Sequence, residues 1–203
     1  MKVALIGISG HVGSRLAREL LARGHKVSGI ARHPGNEPTQ AGLIICEGDA
    51  TVPSELAPLI KNHDVVISAS RFQTSDPQSL ISAVKKAHVK RLMVVGGAAS
   101  LLVTPGKRLI DTPGFPDAYR AEAQAGIRFL DELRNEKELE WIFLSPSAEF
   151  VPGERTGKFR LGTDRLLTDS NGRSWVSMED YAIAMVDEME HPKHLRERLT
   201  VGY

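Results

Sequence analysis

Length, composition and charge limit this chain to a few classes of protein. Its 203 residues, 41% of them hydrophobic, are enough for one buried core, so we expect a single domain over residues 1–203. The 26 Lys and Arg nearly cancel the 25 Asp and Glu, so neither nucleic acid nor a membrane is expected as a partner. Cys46 is the only cysteine, which excludes a disulfide within the chain, and no apolar run reaches the length of a membrane span. We therefore expect a cytoplasmic protein, and we predict no metal site.

The first half of the chain alternates β-branched apolar runs with amphipathic stretches. The predicted strands are residues 2–8, 26–31, 43–46, 64–69 and 91–95, and the predicted helices are residues 12–23, 54–61 and 77–88. Each crossover is long enough for the right-handed connection between parallel strands. The pattern predicts an α/β fold: a single doubly wound Rossmann domain with a mostly parallel sheet and helices on both faces.

The second half of the chain is less regular. A loop over 97–116 precedes a predicted helix over 117–135 and a strand over 141–144, and a segment rich in glycine and charge then continues to about residue 172. Ser177 and Asp180 resemble a capping box that opens a helix over 178–190, and residues 199–203 are predicted to form the last strand. A loop as long as 97–116 inside a compact domain is typical of a functional segment.

Three glycines lie between the first predicted strand and the first predicted helix. Gly7 would take the tight turn off the strand, Gly10 would let the backbone approach a pyrophosphate, and Gly13 would let helix and strand pack closely. The helix N-terminus adds free N–H groups and a partial positive charge. This context predicts a dinucleotide site in which Ser9 and His11 flank the phosphates and Val12 is a further cofactor-binding residue. Alternatively, the glycines serve only the packing of helix on strand.

The residue after the second predicted strand bears on the choice between NAD and NADP. NAD-specific Rossmann proteins carry a carboxylate here, whereas this chain has Arg32. A guanidinium can hold a 2′-phosphate through two charge-assisted hydrogen bonds, so Arg32 favours NADP over NAD, with Arg15 as a helper. The alternative is that Arg32 is a solvated loop charge. After the third strand, Asp49 and Ala50 are predicted to meet the adenine, although an Asx turn or a helix cap explains Asp49 equally well.

Several further motifs carry a resemblance to a known family. They are VVGGAAS at 94–100, DTPGFP at 111–116, LSP at 144–146, PGERTG at 152–157 and VSMEDYA at 176–182. With the glycine loop, they make nearly the whole chain resemble the atypical short-chain dehydrogenases/reductases, in particular the NmrA-like and NADH-flavin reductase-like group akin to biliverdin-IX-beta reductase. The resemblance implies a sheet of about seven strands with a nicotinamide cofactor across their carboxyl ends. It also implies a substrate between the loops after strands five and six.

The chain departs from this family where the catalytic pair is expected. Ordinary members move the proton with a Tyr and with a Lys four residues later on the helix after strand five, and a Ser polarises the carbonyl. Tyr119 begins the matching predicted helix, but Ala123 stands in place of the Lys, which puts alcohol/ketone chemistry in doubt. Ser100 and Tyr119 remain the candidate catalytic residues. Ser100 either orients a substrate or is a plain turn residue, and His11 either donates a proton or contacts phosphate.

Small residues at the strand ends either leave room for the nicotinamide ribose and ring or simply make tight turns. They are Ser68, Ala69, Ser70, Gly96 and Gly97, and Ser145 and Pro146 are further predicted cofactor contacts. Aromatic residues near the same edge offer stacking surfaces for a flat substrate, or form a lid packed on its own domain. The predicted substrate pocket comprises Phe72, Ser100, Phe115, Tyr119, Ser147 and Phe150.

These features predict an NADP-dependent oxidoreductase that transfers hydride directly from NADPH to a small acceptor such as a flavin or a quinone. The alternative is a non-catalytic, NADP-binding redox sensor of the NmrA-like kind, because fold and cofactor site do not fix function. An epimerase or a dehydratase is disfavoured by the missing Lys. The sequence leaves open whether the protein is a monomer or a homodimer.

Overall fold

One eight-stranded sheet organises the fold. The computed structural model describes residues 1–34 and 40–203. The strands are β1 (Lys2–Ile6), β2 (Lys26–Ala31), β3 (Leu43–Glu47), β4 (Val65–Ser68), β5 (Arg91–Val95), β6 (Leu102–Thr104), β7 (Lys107–Arg108), β8 (Glu140–Pro146), β9 (Glu149–Val151), β10 (Arg160–Gly162), β11 (Trp175–Ser177) and β12 (Glu197–Gly202). The sheet order is β10-β12-β8-β5-β4-β1-β2-β3, and every neighbouring pair is parallel except β10 with β12. The predicted mostly parallel, doubly wound sheet is confirmed.

Helices cover both faces of the sheet, as predicted. They are α1 (His11–Ala22), α2 (Pro53–Ile60), α3 (Pro77–Lys86), α4 (Arg120–Asn135) and α5 (Met178–Glu190). Leu20 of α1 and Met185 of α5 belong to one buried cluster on the sheet, and Leu56 of α2 and Phe129 of α4 belong to a second. Burial of these apolar side chains stabilises the layered arrangement. Within residues 1–34 and 40–203, no helix has both the length and the apolar composition needed to cross a membrane.

The structure differs from the sequence prediction mainly at short elements. β1 ends at Ile6, earlier than predicted, because Gly7 takes a left-handed φ of +81° and turns the chain out of the strand. The loop over 97–116 contains the hairpin β6–β7, and the segment predicted to be irregular contributes the antiparallel strand β10. Strands of two or three residues are too short to show a periodic pattern, so the sequence does not reveal them.

Ser177 caps α5 as predicted, but Asp180 does not complete the capping box. The Ser177 Oγ accepts a hydrogen bond from the Asp180 N–H at 3.0 Å. The Asp180 carboxylate instead accepts hydrogen bonds from the Thr156 N–H at 2.7 Å and the Gly157 N–H at 2.9 Å. It also accepts one from the Tyr203 hydroxyl at 2.7 Å. This buried carboxylate therefore ties the segment before β10 to α5.

We predict that Gly13→Ala destabilises the fold. An added Cβ would lie 2.0 Å from the Gly7 carbonyl oxygen, where α1 packs directly on the turn after β1. Overpacking of this kind costs about 1–3 kcal/mol, and urea unfolding should show a loss near the top of that range. Gly114→Ala is the control, because a Cβ there would meet no atom within 4 Å. Equal urea midpoints for the two variants would contradict the account.

Candidate active site

The carboxyl ends of the parallel strands border a narrow cleft beside the glycine loop. This glycine-loop cleft has a volume of about 290 Å³. Its predicted cofactor residues are Gly7, Ser9, Gly10, Arg32, Asp49, Ala50, Ala69 and Ser70, all of which line it. The fold thus brings residues from the ends of β1 to β4 to the edge where a Rossmann domain binds its dinucleotide.

The N-terminus of α1 faces this cleft in a form that suits a phosphate. No side chain caps the helix, and its first N–H groups lack intrahelical partners. Gly10 lines the cleft, and a Cβ added to it would meet only the Gly7 carbonyl oxygen, at 3.2 Å. The open space and the helix dipole therefore fit the pyrophosphate of a dinucleotide. His11, Val12 and Gly13 form the first turn of α1 and lie just outside the lining of the cleft.

Two arginines and one aspartate set the charge of the glycine-loop cleft. Arg32 and Arg71 both line it and are exposed. Arg71 is missing from the sequence prediction because nothing in its local sequence marks it. Asp49 Oδ1 accepts hydrogen bonds from the Thr51 N–H and the Thr51 hydroxyl, both at 2.8 Å, and these bonds, with a smaller effect of Arg32, hold the pKa of Asp49 below its usual value. Asp49 therefore forms the Asx turn that the sequence left open, and its contact with adenine stays a prediction.

Arg15 is held away from the glycine-loop cleft. Its Nε donates to Glu179 Oε1 of α5 at 2.5 Å, and its Nη1 donates to the His11 carbonyl oxygen at 2.7 Å. Glu179 also accepts a hydrogen bond from the Gly153 N–H at 2.8 Å. Burial acts to raise the pKa of Glu179, but the hydrogen bonds from Gly153 and Arg15 outweigh it and keep that pKa low. The helper role predicted for Arg15 is therefore wrong, since this residue joins α1 to α5.

A second cleft, largely apolar and about 550 Å³ in volume, lies beyond the ends of β5 and β8 and against α4. The loop over 97–116 forms part of its wall. The predicted residues that line this apolar cleft are Phe72, Gly96, Gly97, Ser100, Phe115, Tyr119, Pro146 and Phe150. Ala123 lines it too, at the position where the family carries its lysine.

The side chains of three predicted serines lie in the interior instead of facing either cleft. Ser68 and Ser145 are buried on β4 and β8, outside both linings. The Ser147 Oγ is buried and donates to a backbone carbonyl of β12 at 3.0 Å. Ser147 is therefore wrong as a substrate contact, because its hydroxyl is used within the fold. Gly96 borders the apolar cleft, but an added Cβ would lie 2.5 Å from Phe143 Cε1, so this glycine makes room for packing instead of for a ligand.

The aromatic residues of the apolar cleft are mostly fixed by packing within the domain. The ring centroids of Phe72 and Phe143 are 5.9 Å apart, and those of Phe150 and Tyr181 are 4.7 Å apart. Phe72 and Phe150 thus pack on their own domain, which agrees with one of the two alternatives, and they also line the cleft, so stacking of a flat substrate on them stays a prediction. Tyr119 is different, because it is 67% exposed at the rim and its ring is open to a ligand.

Glu122 is a residue of the site that the sequence analysis missed. Its Oε1 accepts a hydrogen bond from the Phe72 N–H at 2.6 Å, and its Oε2 accepts one from the Gln73 N–H at 3.1 Å. These residues belong to a short 3-10 helix that separates the two clefts, because Phe72 lines the apolar cleft and Thr74 lines the glycine-loop cleft. Glu122 of α4 therefore holds the wall between the clefts. A glutamate in the first turn of a helix usually reflects only the helix dipole, so no sequence signal marks this contact.

Tyr119 is the one tyrosine among the described residues that lines the apolar cleft. The Tyr181 hydroxyl donates to the Leu144 carbonyl oxygen at 2.7 Å, and complete burial raises the pKa of Tyr181 far above its usual value. The Tyr203 hydroxyl is engaged with Asp180. Within the described ranges, no lysine lines this cleft. The Tyr119 hydroxyl therefore has no ammonium partner in the cleft.

The sheet, the glycine turn and the uncapped helix N-terminus define a dinucleotide-binding Rossmann protein. The NAD(P)H-binding family matches residues 7–192, and the chain belongs to this family. The protein YwnB of Bacillus subtilis is 40% identical, over 99% of this chain and 98% of that protein.

Two solved structures share the whole fold. A Bacteroides thetaiotaomicron protein named "putative epimerase" is 42% identical with a TM-score of 0.95, over 100% of this chain and 96% of that chain. A Streptococcus pneumoniae protein named "putative NADH-flavin reductase" is 32% identical with a TM-score of 0.86, over 100% and 99%. The predicted resemblance is confirmed as membership of the NAD(P)H-binding family, and the name of the Streptococcus pneumoniae structure agrees with its NADH-flavin reductase-like part.

We predict that Gly10→Val abolishes binding of NADP(H) while the domain still folds. The Gly10 backbone has φ −73° and ψ 165°, an extended conformation that valine also adopts, and a Cβ there meets one atom at 3.2 Å. The branched side chain would occupy the space that fits a pyrophosphate, so calorimetry should show affinity weaker by about a hundredfold or more. Retained affinity in the folded variant would place the phosphates elsewhere.

Proposed function

We propose that this protein is an NADPH-dependent reductase that passes hydride directly to a flat small-molecule acceptor, such as a flavin or a quinone. The observation that carries the proposal is the adjacency of two clefts along one sheet edge. The glycine-loop cleft ends at Ala69 and Ser70 after β4, and the apolar cleft begins at Gly97 after the neighbouring strand β5. A dinucleotide held at Gly10 would extend along this edge toward the apolar cleft, where a flat molecule has room.

The chain contributes position and exclusion of water to this reaction. When bound, the reduced nicotinamide supplies the hydride. Phe72 and Phe150 give the apolar cleft rigid walls, because each packs on the core and Glu122 fixes the backbone of Phe72. Such walls hold an acceptor at the sheet edge and keep bulk water out. Arg32, at the far end of the glycine-loop cleft, would add binding energy by pairing with the 2′-phosphate.

The side chains of the apolar cleft suit an acceptor that does not require a proton donor from the protein. A flavin or a quinone reduced by hydride can take its proton from solvent, whereas a simple ketone needs a well-placed acid. Tyr119 stands at the rim with Ala123 in place of the family lysine. The cleft therefore favours the flavin or quinone class. The name of the Streptococcus pneumoniae relative agrees with this choice.

Rapid mixing of the protein with NADPH and riboflavin or menadione tests the proposal. We expect saturable loss of NADPH absorbance that requires both the protein and the acceptor. If the protein binds NADPH but oxidises it no faster than buffer with either acceptor, the proposal fails.

We predict that Arg32→Asp reverses the cofactor preference. The protein should bind NADP(H) more tightly than NAD(H), because the Arg32 guanidinium pairs with the 2′-phosphate and a carboxylate would repel it. Calorimetry with both cofactors measures the order of affinity. Arg18→Asp is the matched control, since it makes the same charge change at an exposed position of α1 outside both clefts. Equal or tighter binding of NADH by the unmodified protein would show that Arg32 does not select the cofactor.

We predict that Tyr119→Phe lowers kcat by less than about tenfold, or about 1.4 kcal/mol of barrier. The substitution keeps the exposed ring and removes only a hydroxyl that lacks a lysine partner. Tyr119→Ala should raise KM more strongly, because it removes a stacking surface at the rim. A loss of kcat beyond about a hundredfold in the Phe variant, with KM unchanged, would mean that the hydroxyl transfers a proton.

A further inference from the structure

A buried arginine lies behind the wall of the apolar cleft. Arg198 of β12 has a side chain that is only 4% exposed, and its Nη1 donates a hydrogen bond to the Ser100 Oγ at 3.1 Å. Its Nε donates to Asp164 Oδ1 at 2.9 Å, and its Nη2 pairs with the same oxygen. The Asp164 side chain is 57% exposed. The buried guanidinium therefore has a counter-ion that remains partly in water, which lowers the cost of burying its charge.

Backbone hydrogen bonds hold these three side chains together. The Leu102 N–H donates to the Asp164 carbonyl oxygen at 2.8 Å, and the Leu166 N–H donates to the Leu102 carbonyl oxygen at 3.0 Å. Residue 102 lies two positions after Ser100, so the segment that carries Asp164 is fixed beside the loop that carries Ser100. These backbone hydrogen bonds therefore keep Asp164 and Ser100 close to each other and to Arg198.

The direction of the bond between Arg198 and Ser100 is unambiguous. A guanidinium stays protonated and has only donors, so the Ser100 oxygen must accept. The Ser100 O–H is then left to donate in another direction, and no residue of 1–34 or 40–203 accepts it. Ser100 lines the apolar cleft, so a ligand in the cleft can accept this proton in a hydrogen bond. The donation from a charged group also polarises the hydroxyl and makes it a stronger donor.

We propose that Arg198 is a positioning residue that presents the Ser100 hydroxyl to a carbonyl oxygen of the acceptor. The inference rests on the proposed function and specifies the group of the acceptor that is recognised: a carbonyl oxygen at the edge of a flat ring, which both quinones and flavins carry. The hydrogen bond stabilises the negative charge that builds up on this oxygen as hydride arrives. Ser100 keeps its own proton. The quinone gains the hydride from NADPH and one proton from solvent, and becomes a hydroquinone as NADP⁺ forms.

Binding without NADPH tests the contact at Ser100 directly. Equilibrium dialysis compares menadione with 2-methylnaphthalene, which has the same fused rings and methyl group but no carbonyl. Ser100→Ala should weaken menadione binding by about tenfold and leave 2-methylnaphthalene within about twofold. Equal losses for the two ligands, or an unchanged affinity for menadione, would overturn the proposal.

A double-mutant cycle tests whether Arg198 acts through Ser100. The variants Arg198→Met, Ser100→Ala and the double substitution are compared by kcat/KM with menadione, after melting curves confirm that each is folded. The double variant should be no worse than Ser100→Ala within about twofold, because the arginine has no hydroxyl left to orient. Additive losses would show that Arg198 acts independently of Ser100 and would overturn its positioning role. Arg165→Met, which removes an exposed guanidinium next to Asp164, is the control for the change of charge and should leave kcat/KM unchanged.

The two experiments separate this inference from the proposed function. If the unmodified protein turns over no acceptor, the proposed function fails, and the dialysis still decides whether Ser100 recognises a carbonyl. If Arg198→Met does not fold, Arg198→Lys, which keeps the positive charge but not the planar guanidinium, takes its place in the cycle. Turnover of quinones with no effect of Ser100→Ala on rate or binding would overturn the inference and keep the proposed function.

Discussion

The contact of Gly13 with the Gly7 carbonyl fixes the geometry of the functional edge. Gly7 turns the chain out of β1 with φ +81°, and its N–H donates to the Ile30 carbonyl oxygen of β2 at 2.9 Å. The helix α1 then starts directly on this turn. It lies so close that a Cβ at position 13 would clash with the Gly7 carbonyl oxygen. Its uncapped N-terminus is therefore held at the carboxyl ends of β1 and β2. The position of the glycine-loop cleft and the helix dipole that faces it both follow from this approach.

Carboxylates on α4 and α5 hold several short segments that lie outside the eight-stranded sheet. Three carboxylates on α4 and α5 accept hydrogen bonds from loop backbone: Glu122 from the 3-10 helix at Phe72, Glu179 from Gly153, and Asp180 from the segment at Thr156. Backbone N–H groups that no strand pairs need other partners, and these carboxylates supply them. Of these three segments, the one at Phe72 lines the apolar cleft, so Glu122 helps to shape a wall of this cleft although it lies 50 residues away in the sequence.

The sequence predicts the parts of the fold that depend on local patterns. β-branched runs, amphipathic helices and the glycine turn are visible within a few residues, and the parallel sheet and the glycine-loop cleft follow from them. The prediction that Ser147 contacts the substrate is wrong because its hydroxyl donates to the Val201 carbonyl oxygen, 54 residues further along the chain, and no local pattern shows this contact. Arg15 was misplaced for a related reason, since the sequence does not show its partner Glu179. Glu122 and Arg198 act through contacts that span 50 and 98 residues of chain, so no local signal reveals them.

The central claim is that the protein holds a nicotinamide and an acceptor together for direct transfer of hydride. Single-turnover oxidation of NADPH that carries deuterium on one or the other side of nicotinamide C4, with menadione as acceptor, tests it most directly. A fixed cleft presents one face of the ring to the acceptor, so the account predicts a primary kinetic isotope effect from one label and none from the other. Equal effects from the two labels would mean that hydride leaves a nicotinamide that the protein does not orient, and would contradict the account.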